Sequence, residues 1–249
     1  MKQQPEDDLV ASKSPAGIRA MFHAIAPTYD FLNRLLSLGI DQRWRRRLAR
    51  LTIGADTRRV LDVCSGTGDL ALALADRARS AGVAAAVFAC DFTPSMMSRG
   101  RDKFAASPHA HSLPGTLVAD TMRLPFPAGA FDAVTVAFGI RNVADYQTGL
   151  REMARVCRDG GRIVVLEFSR PRNRLFGAVY SFYFNRLLPR IGHAITGTRA
   201  YRYLPKSVAR FPEGPEFAAA VAAATGGPVE IIPLTGGIAT IYIGRKASG

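Results

Sequence analysis

The chain has 249 residues, 48% of them hydrophobic and 21% charged, which suits one globular domain with a sizeable core and room for an appended subdomain. A formal charge of +13 points to an anionic partner, nucleic acid or an anionic lipid surface, and charge alone does not choose between them. Cys64, Cys90 and Cys157 lie in or beside apolar segments without metal-ligand spacing, so they read as reduced core thiols of a cytoplasmic protein rather than as a disulfide framework.

In chain order, residues 1–16 are polar, lack the apolar stretch of a secretory signal and read as a mobile tail. Residues 17–249 read as a single domain. Its first part, 17–50, reads as a helical lid with apolar residues at Phe22, Ile25, Phe31, Leu32, Leu35 and Leu36. Pro27 breaks or kinks that helix ahead of Tyr29-Asp30. Strands are predicted near 59–64, 84–90, 116–119, 132–138 and 162–168, and helices near 69–80, 94–105 and 143–157. Strict alternation predicts a parallel sheet with helices on both faces and a ligand at the carboxyl ends of the strands. Residues 172–210 break the pattern as a helical insertion rich in Phe, Tyr and Leu, with Arg174, Arg186, Arg190 and Arg199 interspersed. Val229–Leu234 and Ala239–Arg245, joined by Thr235-Gly236-Gly237, predict a C-terminal antiparallel hairpin at the sheet edge. The expected architecture is α/β and Rossmann-like, with a seven-stranded, mostly parallel sheet closed by that hairpin.

The stretch VLDVCSGTGD, from Val60 to Asp69, carries the most information about the ligand. It reads as a buried strand, a glycine turn and a helix start, and Asp91 ends the next strand. Gly66-x-Gly68 followed by Ala71 also fits the loose dinucleotide pattern, so the glycines alone do not identify the ligand. The acids do separate the options. A dinucleotide would put a pyrophosphate on the helix N-terminus, between Asp62 and Asp69. Like charges at about 4–6 Å repel by about 1 kcal/mol or more even under surface-like screening. S-adenosylmethionine has no phosphate and carries an ammonium and a sulfonium, which carboxylates favour. Asp91 would then accept hydrogen bonds from the ribose hydroxyls. This makes the expected fold a class I S-adenosylmethionine-dependent methyltransferase.

Further along, Asp120-Thr121 follows the third strand and would face the adenine; alternatively Asp120 is a turn acid ahead of Leu124-Pro125. The loop after the fourth strand, Phe138-Gly139-Ile140-Arg141-Asn142, lacks the Pro-Pro-aromatic motif common in amine-methylating enzymes, which argues against a base or amide nitrogen as acceptor. Arg141 and Asn142 read equally well as partners of a phenol and as an ion-pairing arginine and a helix cap. Tyr29 and Asp30 read equally well as part of a lid and as a core aromatic with a cap. His23, His109, His111 and His193 are scattered, so no metal site is expected and no general base stands out. The apolar run Leu175–Phe184 is ten residues long, against the roughly 20 that cross a bilayer. The 172–200 segment reads either as core packing or as a surface that shields a lipid tail and rests on an anionic membrane. Neither basic segment, Arg43 to Arg50 or Arg170 to Arg210, looks like a standard nucleic-acid module, so no nucleic-acid partner is expected. A homodimer stays open.

Several motifs together resemble the menaquinone/ubiquinone biosynthesis C-methyltransferases. They are Tyr29-Asp30-Phe31-Leu32-Asn33 with Trp44, the Gly66-Thr67-Gly68-Asp69 turn, Leu124-Pro125-Phe126-Pro127, Phe138-Gly139-Ile140-Arg141-Asn142-Val143, and Leu166-Glu167-Phe168. Tyr203-Leu204-Pro205, Phe211-Pro212 and Leu234-Thr235-Gly236-Gly237 complete the set, so the resemblance covers about residues 17–246. It implies methyl transfer from S-adenosylmethionine to a ring carbon of a polyprenylated quinol. It also implies that Thr67, Asp91, Asp120, Thr121 and Ala137 lie at the cofactor, with Arg141 and Asn142 near the reacting ring. Asp41 stands where many members have His, Ala137 where some have Ser, and Tyr242 where His is frequent. Naphthoquinol and benzoquinol both stay open as substrates.

Overall fold

A computed structural model describes residues 6–108, 112–171, 173–196 and 200–248. His109, His111 and Arg199, named above, lie outside the described residues. Four helices come first: α1 (Glu6–Ser12), α2 (Pro15–Ile25), α3 (Tyr29–Ser37) and α4 (Ile40–Thr52). The break at Pro27 is a single 3₁₀ turn, Ala26–Thr28, between α2 and α3. A second break, unread in the sequence, ends α3 at Leu38 and Gly39, both left-handed with φ of 51° and 73°. The segment read as a tail contains α1, because Leu9 and Val10 find burial against Ile18 and Tyr203.

The α/β part follows in the expected alternation. It runs β1 (Arg59–Val63), α5 (Asp69–Ser80), β2 (Ala86–Asp91), α6 (Pro94–Ala105), β3 (Gly115–Val118), β4 (Phe131–Ala137), α7 (Tyr146–Val156) and β5 (Cys157–Phe168). Three helices of the insertion, α8 (Arg174–Phe182), α9 (Leu188–Thr196) and α10 (Ala200–Arg210), precede α11 (Pro215–Thr225) and the hairpin β6 (Val229–Leu234) and β7 (Ala239–Arg245). A π-helical turn, Tyr183–Leu187, joins α8 to α9.

The seven strands lie in the order β3-β2-β1-β4-β5-β7-β6. The first five are parallel, and β7 runs antiparallel to both β5 and β6. Strand order reverses beside β1, so the crevice above the carboxyl ends of β1 and β4 is where a ligand is expected.

Period-two alternation sorts the strand side chains into two layers. Val60, Ala133, Val164 and Ile241 face α4 and α5, packing on Trp44, Leu48, Leu70 and Leu74. Leu61, Val134, Val165 and Tyr242 face α7 and α11, packing on Leu150, Met153, Phe217 and Val221. Each such side chain, fully buried, contributes about 1.5–3 kcal/mol before entropy is counted. A third cluster lies over the strand ends rather than on a sheet face. There Ile25, Leu32 and Leu36 of the N-terminal helices meet Met96, Phe184 and Leu188. This cluster forms a cap over the crevice, and it joins the N-terminal helices to the insertion. All three cysteines are free.

Candidate active site

The turn after β1 is shaped by glycines and fixed by acids. Gly66 and Gly68 have φ of +59° and +83°, a region that L-residues enter at a cost. The Gly66 N–H donates to Asp91 Oδ2 at 2.9 Å, and Thr93 N–H donates to Asp91 Oδ1 at 2.7 Å. Burial pushes the Asp91 carboxyl up, and these two backbone bonds oppose the shift. Each carboxylate oxygen keeps a lone pair for a hydroxyl donor.

Asp62, by contrast, is fully buried, lines neither of the two cavities described below, and supports the turn. Its Oδ2 accepts from Ser65 Oγ at 2.6 Å and its Oδ1 from Thr135 Oγ1 at 3.0 Å. Burial raises its pKa to about 7, against the hydrogen bonds from Ser65 and Thr135. Gly68 likewise lies behind the turn. A Cβ there would sit 2.3 Å from the Phe104 ring, so the glycine is required by helix packing.

Two cavities open above the strand ends. The first encloses about 880 Å³ and is lined by Gly66, Thr67, Asp69, Asp91, Asp120, Thr121, Ala137 and Asn142, among others. The second encloses about 1320 Å³ and is mostly apolar, with Ile25, Leu36, Trp44, Phe168, Tyr180, Phe184, Leu188 and Leu204 in its wall. Phe22, Tyr29, Arg45 and Phe138 line both. Those four side chains are the partition at which the two contents meet.

Tyr29 therefore occupies the junction while packing on the cap cluster, and burial pushes its phenol up. Its neighbour Asp30 ties the lid to the turn. Thr67 Oγ1 donates to Asp30 Oδ1 at 2.5 Å, and Lys103 Nζ reaches Asp30 Oδ2 at 2.9 Å and also Asp69 Oδ1. Burial acts to raise the Asp69 carboxyl, but Arg45, Lys103 and Arg34 outweigh it and hold it low.

The loop after β4 is strained and anchored. Phe138 is left-handed with φ of 59°, a conformation that needs support from its surroundings. Its N–H donates to Leu166 O at 2.8 Å, and Arg141 Nη1 donates to its carbonyl at 2.5 Å. The same Nη1 lies 2.7 Å from Glu167 Oε1. Arg141 is thus a buried ion-pairing residue, and it also borders the apolar cavity. Asn142 lines the polar cavity and accepts from Tyr203 Oη at 3.1 Å. The cap of α7 is Asp145, whose Oδ1 accepts from Gln147 and Thr148 N–H at 3.0 and 3.1 Å. Gly139 is required by crowding: a Cβ there would lie 2.3 Å from Cys64 Cβ.

Glu167 and Tyr203 stood in the sequence only as motif residues without a role, and Arg45 and Lys103 are site residues that it did not single out. Lys13 is another: it lines the polar cavity under the Tyr146 and Phe211 rings, and burial lowers its pKa. Only the helical register of Arg45, three and four residues before Leu48 and Ala49, hinted at an inward position. Among the described residues no group of His, Cys, Asp and Glu could hold a metal ion.

The sequence profile of the ubiE/COQ5 methyltransferase family matches residues 10–246. The chain belongs to that family. It is 50% identical over 229 residues to the ubiquinone/menaquinone biosynthesis C-methyltransferase UbiE of Geobacter sulfurreducens, covering 92% of this chain and 88% of that protein. It is 51% identical over 227 residues to the demethylmenaquinone methyltransferase of Thermus thermophilus, covering 91% of this chain and all (100%) of that protein. Among solved structures, an O-methyltransferase family protein from Burkholderia thailandensis superposes with a TM-score of 0.62 at 19% identity, over 88% of this chain and 59% of that one. That likeness establishes the fold alone. Within the ubiE/COQ5 methyltransferase family the residues of this site suit S-adenosylmethionine. Asp91 offers acceptors to a ribose, Asp120 adds a second carboxylate to the lining, and the glycine turn leaves room for backbone approach.

Proposed function

We propose that the protein transfers the methyl group of S-adenosylmethionine to a ring carbon of a polyprenylated quinol, converting demethylmenaquinol to menaquinol. The observation that carries this reading is the partition. A polar, acid-lined cavity and a larger apolar one share Phe22, Tyr29, Arg45 and Phe138 as a common wall. S-adenosylmethionine supplies a methyl activated by a sulfonium. The chain supplies position and dryness. Asp91 and the Gly66 turn hold the donor, the apolar cavity takes the ring and the first part of its tail, and the cap of α2, α3 and α8–α9 excludes water. Benzoquinol methylation is the second reading, favoured by the Geobacter relative's name, which covers both quinones. Incubation with labelled S-adenosylmethionine and vesicles carrying demethylmenaquinol or the benzoquinol tests both. Label in menaquinol supports the first reading, and label in neither product sinks both.

The same reading places the enzyme at an anionic membrane surface. Among the described residues no helix is long and apolar enough to cross a membrane. Moving a prenyl tail into water costs about 0.8 kcal/mol per CH₂, so the substrate stays in the bilayer. Phe182 and Leu187 of the insertion are exposed, as are Phe31, Leu35 and Leu38 of the α3 region. Tyr183 Oη, donating to Leu36 O at 2.6 Å, joins these two groups into one neighbourhood. Arg186 and Arg190 are exposed on the same helical stretch as Phe182. Phe184 and Leu188, also candidates for lipid contact in the sequence, turn inward and build the cavity instead.

A further inference from the structure

We propose that Arg45, at the junction of the two cavities, holds the phenolate oxygen of the ring being methylated. The inference rests on the quinol-methylation reading and adds a residue to it.

Arg45 is 7% exposed, and its Nε has no hydrogen-bond partner. The only ion pair it makes among the described residues is with Asp41 Oδ2, at 3.6 Å from Nε, which is longer than a hydrogen bond. Asp41 is itself engaged: Ser37 Oγ donates to its Oδ1 at 2.7 Å and Gln42 Nε2 to its Oδ2 at 3.3 Å. A buried guanidinium with an unmet donor is costly, and native interiors avoid leaving one. Arg141 has an unpartnered Nε too, but its Nη1 is already spent on Glu167 and Phe138, whereas Arg45 has only the long contact to Asp41. Among the described residues Arg45 is also the one cation that lines both cavities. The Nε itself is buried beside Asp41, so an anionic oxygen at the partition would meet the Nη end of the guanidinium, for which no hydrogen bond is found among the described residues.

The reaction generates such an oxygen there. Loss of the phenol proton to solvent shares negative charge between the oxygen and the ortho carbon. That carbon forms the new C–C bond as the S–C bond breaks, and the electron pair of the broken bond stays on sulfur. The ring hydrogen on the same carbon then leaves as a proton, which restores the quinol. A fixed guanidinium beside the oxygen favours its ionised form and aims the ortho carbon at the methyl.

The test compares wild type, R45Q and R45K. Trp44 is the single tryptophan of the chain and lines the apolar cavity, so its fluorescence reports ligands there. Hydroxynaphthoquinone, an anion at neutral pH, and its neutral methoxy ether are the probes. R45Q is expected to bind the anion about tenfold more weakly than wild type, as loss of a charge-assisted hydrogen bond implies. The ether should bind both alike, which also shows that the variant is folded. Affinity for S-adenosylhomocysteine by calorimetry should not change. The rise of kcat/KM with pH should move up by about one unit in R45Q, as removal of a nearby cation implies, and R45K should recover part of it. Equal anion binding by wild type and R45Q overturns the proposal. So does a loss confined to S-adenosylhomocysteine, which would assign Arg45 to the donor's carboxylate. The binding measurements need no turnover. A wild-type protein that methylates no quinol therefore defeats the functional reading, while the anion preference still decides this one.

Discussion

Arg141 and Glu167 form a buried ion pair, Nη1 to Oε1 at 2.7 Å, and the same nitrogen holds the carbonyl of left-handed Phe138. The pair fixes the backbone of Phe138 at the wall between the cavities, and Arg141 itself borders the apolar one. Breaking a buried pair from one side leaves an uncompensated charge and costs about 3–5 kcal/mol. Arg141→Ala should therefore lower the urea midpoint strongly, and the double variant with Glu167→Ala should cost less than the sum of the two single changes. An Arg141→Ala protein with a wild-type midpoint and collapsed turnover would instead give Arg141 a direct chemical role.

The sheet was largely legible because its signals are local. Asp69–Ser80 and Pro94–Ala105 announce themselves by a glycine turn and by a proline at the first helical position, and the hairpin by alternation around Thr235-Gly236-Gly237. The polar cavity was legible for the same reason, since Gly66, Asp91, Asp120 and Ala137 follow strand ends. The roles of Asp62 and Arg141 were not. A strand-end acid and a loop arginine look alike in sequence whether they face a ligand or a buried partner, and Thr135 and Glu167 become neighbours only when β4 pairs with β1 and β5. The apolar cavity was the least legible, because its wall joins residues about 150 positions apart, as Tyr183 and Leu36 do across 147.

Gly68→Ala should destabilise through two separable causes. The new Cβ meets the Phe104 ring at 2.3 Å, and φ of +83° is unfavourable for any L-residue. The left-handed conformation costs about 1–2 kcal/mol, and the clash adds to it. In a Phe104→Ala background the clash disappears and the conformational part remains. Thermal denaturation of the four proteins measures the difference, and equal costs of Gly68→Ala in both backgrounds would remove the clash from the account.

Asp91→Ala should weaken S-adenosylhomocysteine binding by about 1.5–3 kcal/mol, the value of a hydrogen bond to a charged acceptor. The change also frees the Gly66 N–H, so the glycine turn loses its anchor. Calorimetry provides the check, and unchanged affinity would take Asp91 out of the binding site.

Asp62 makes stability depend on pH in a direction opposite to that of salt-bridged acids. Its folded pKa of about 7 lies above the ordinary carboxylate value, so the folded protein holds a proton there that the unfolded chain has released. That contribution is complete below the unfolded pKa and is lost as pH rises through about 7. Asp62→Asn removes the titration while keeping groups that can bond Ser65 and Thr135. Between about pH 5.5 and 8.5 the variant should gain on the order of 2 kcal/mol relative to wild type. Melting curves at the two pH values show it as a difference that grows with pH. A constant or shrinking difference would mean that Asp62 ionises normally.

Leu38 is 82% exposed, left-handed, and part of the lining of the apolar cavity, so it stands at that cavity's mouth. Phe182, 60% exposed, belongs to the insertion that packs beside it. If this mouth faces the bilayer, both side chains lose contact with water when the protein docks, and each is worth about 1.5–3 kcal/mol of apolar burial. Leu38→Asp and Phe182→Ser should each lower vesicle binding about tenfold or more. Neither residue lies in the internal core clusters, so the fold should persist, as melting curves will show. Binding of the unaltered protein should rise with the fraction of anionic lipid. It should fall with salt as the screening length shrinks from about 10 Å at 0.1 M to about 3 Å at 1 M. Flotation at low and high salt separates the two contributions. The apolar variants lose affinity at both salts, whereas removal of the Arg186 and Arg190 charges costs affinity only at low salt. Wild-type protein that ignores anionic vesicles at low salt would mean that this face meets another partner and that the quinol reaches the cavity without the membrane.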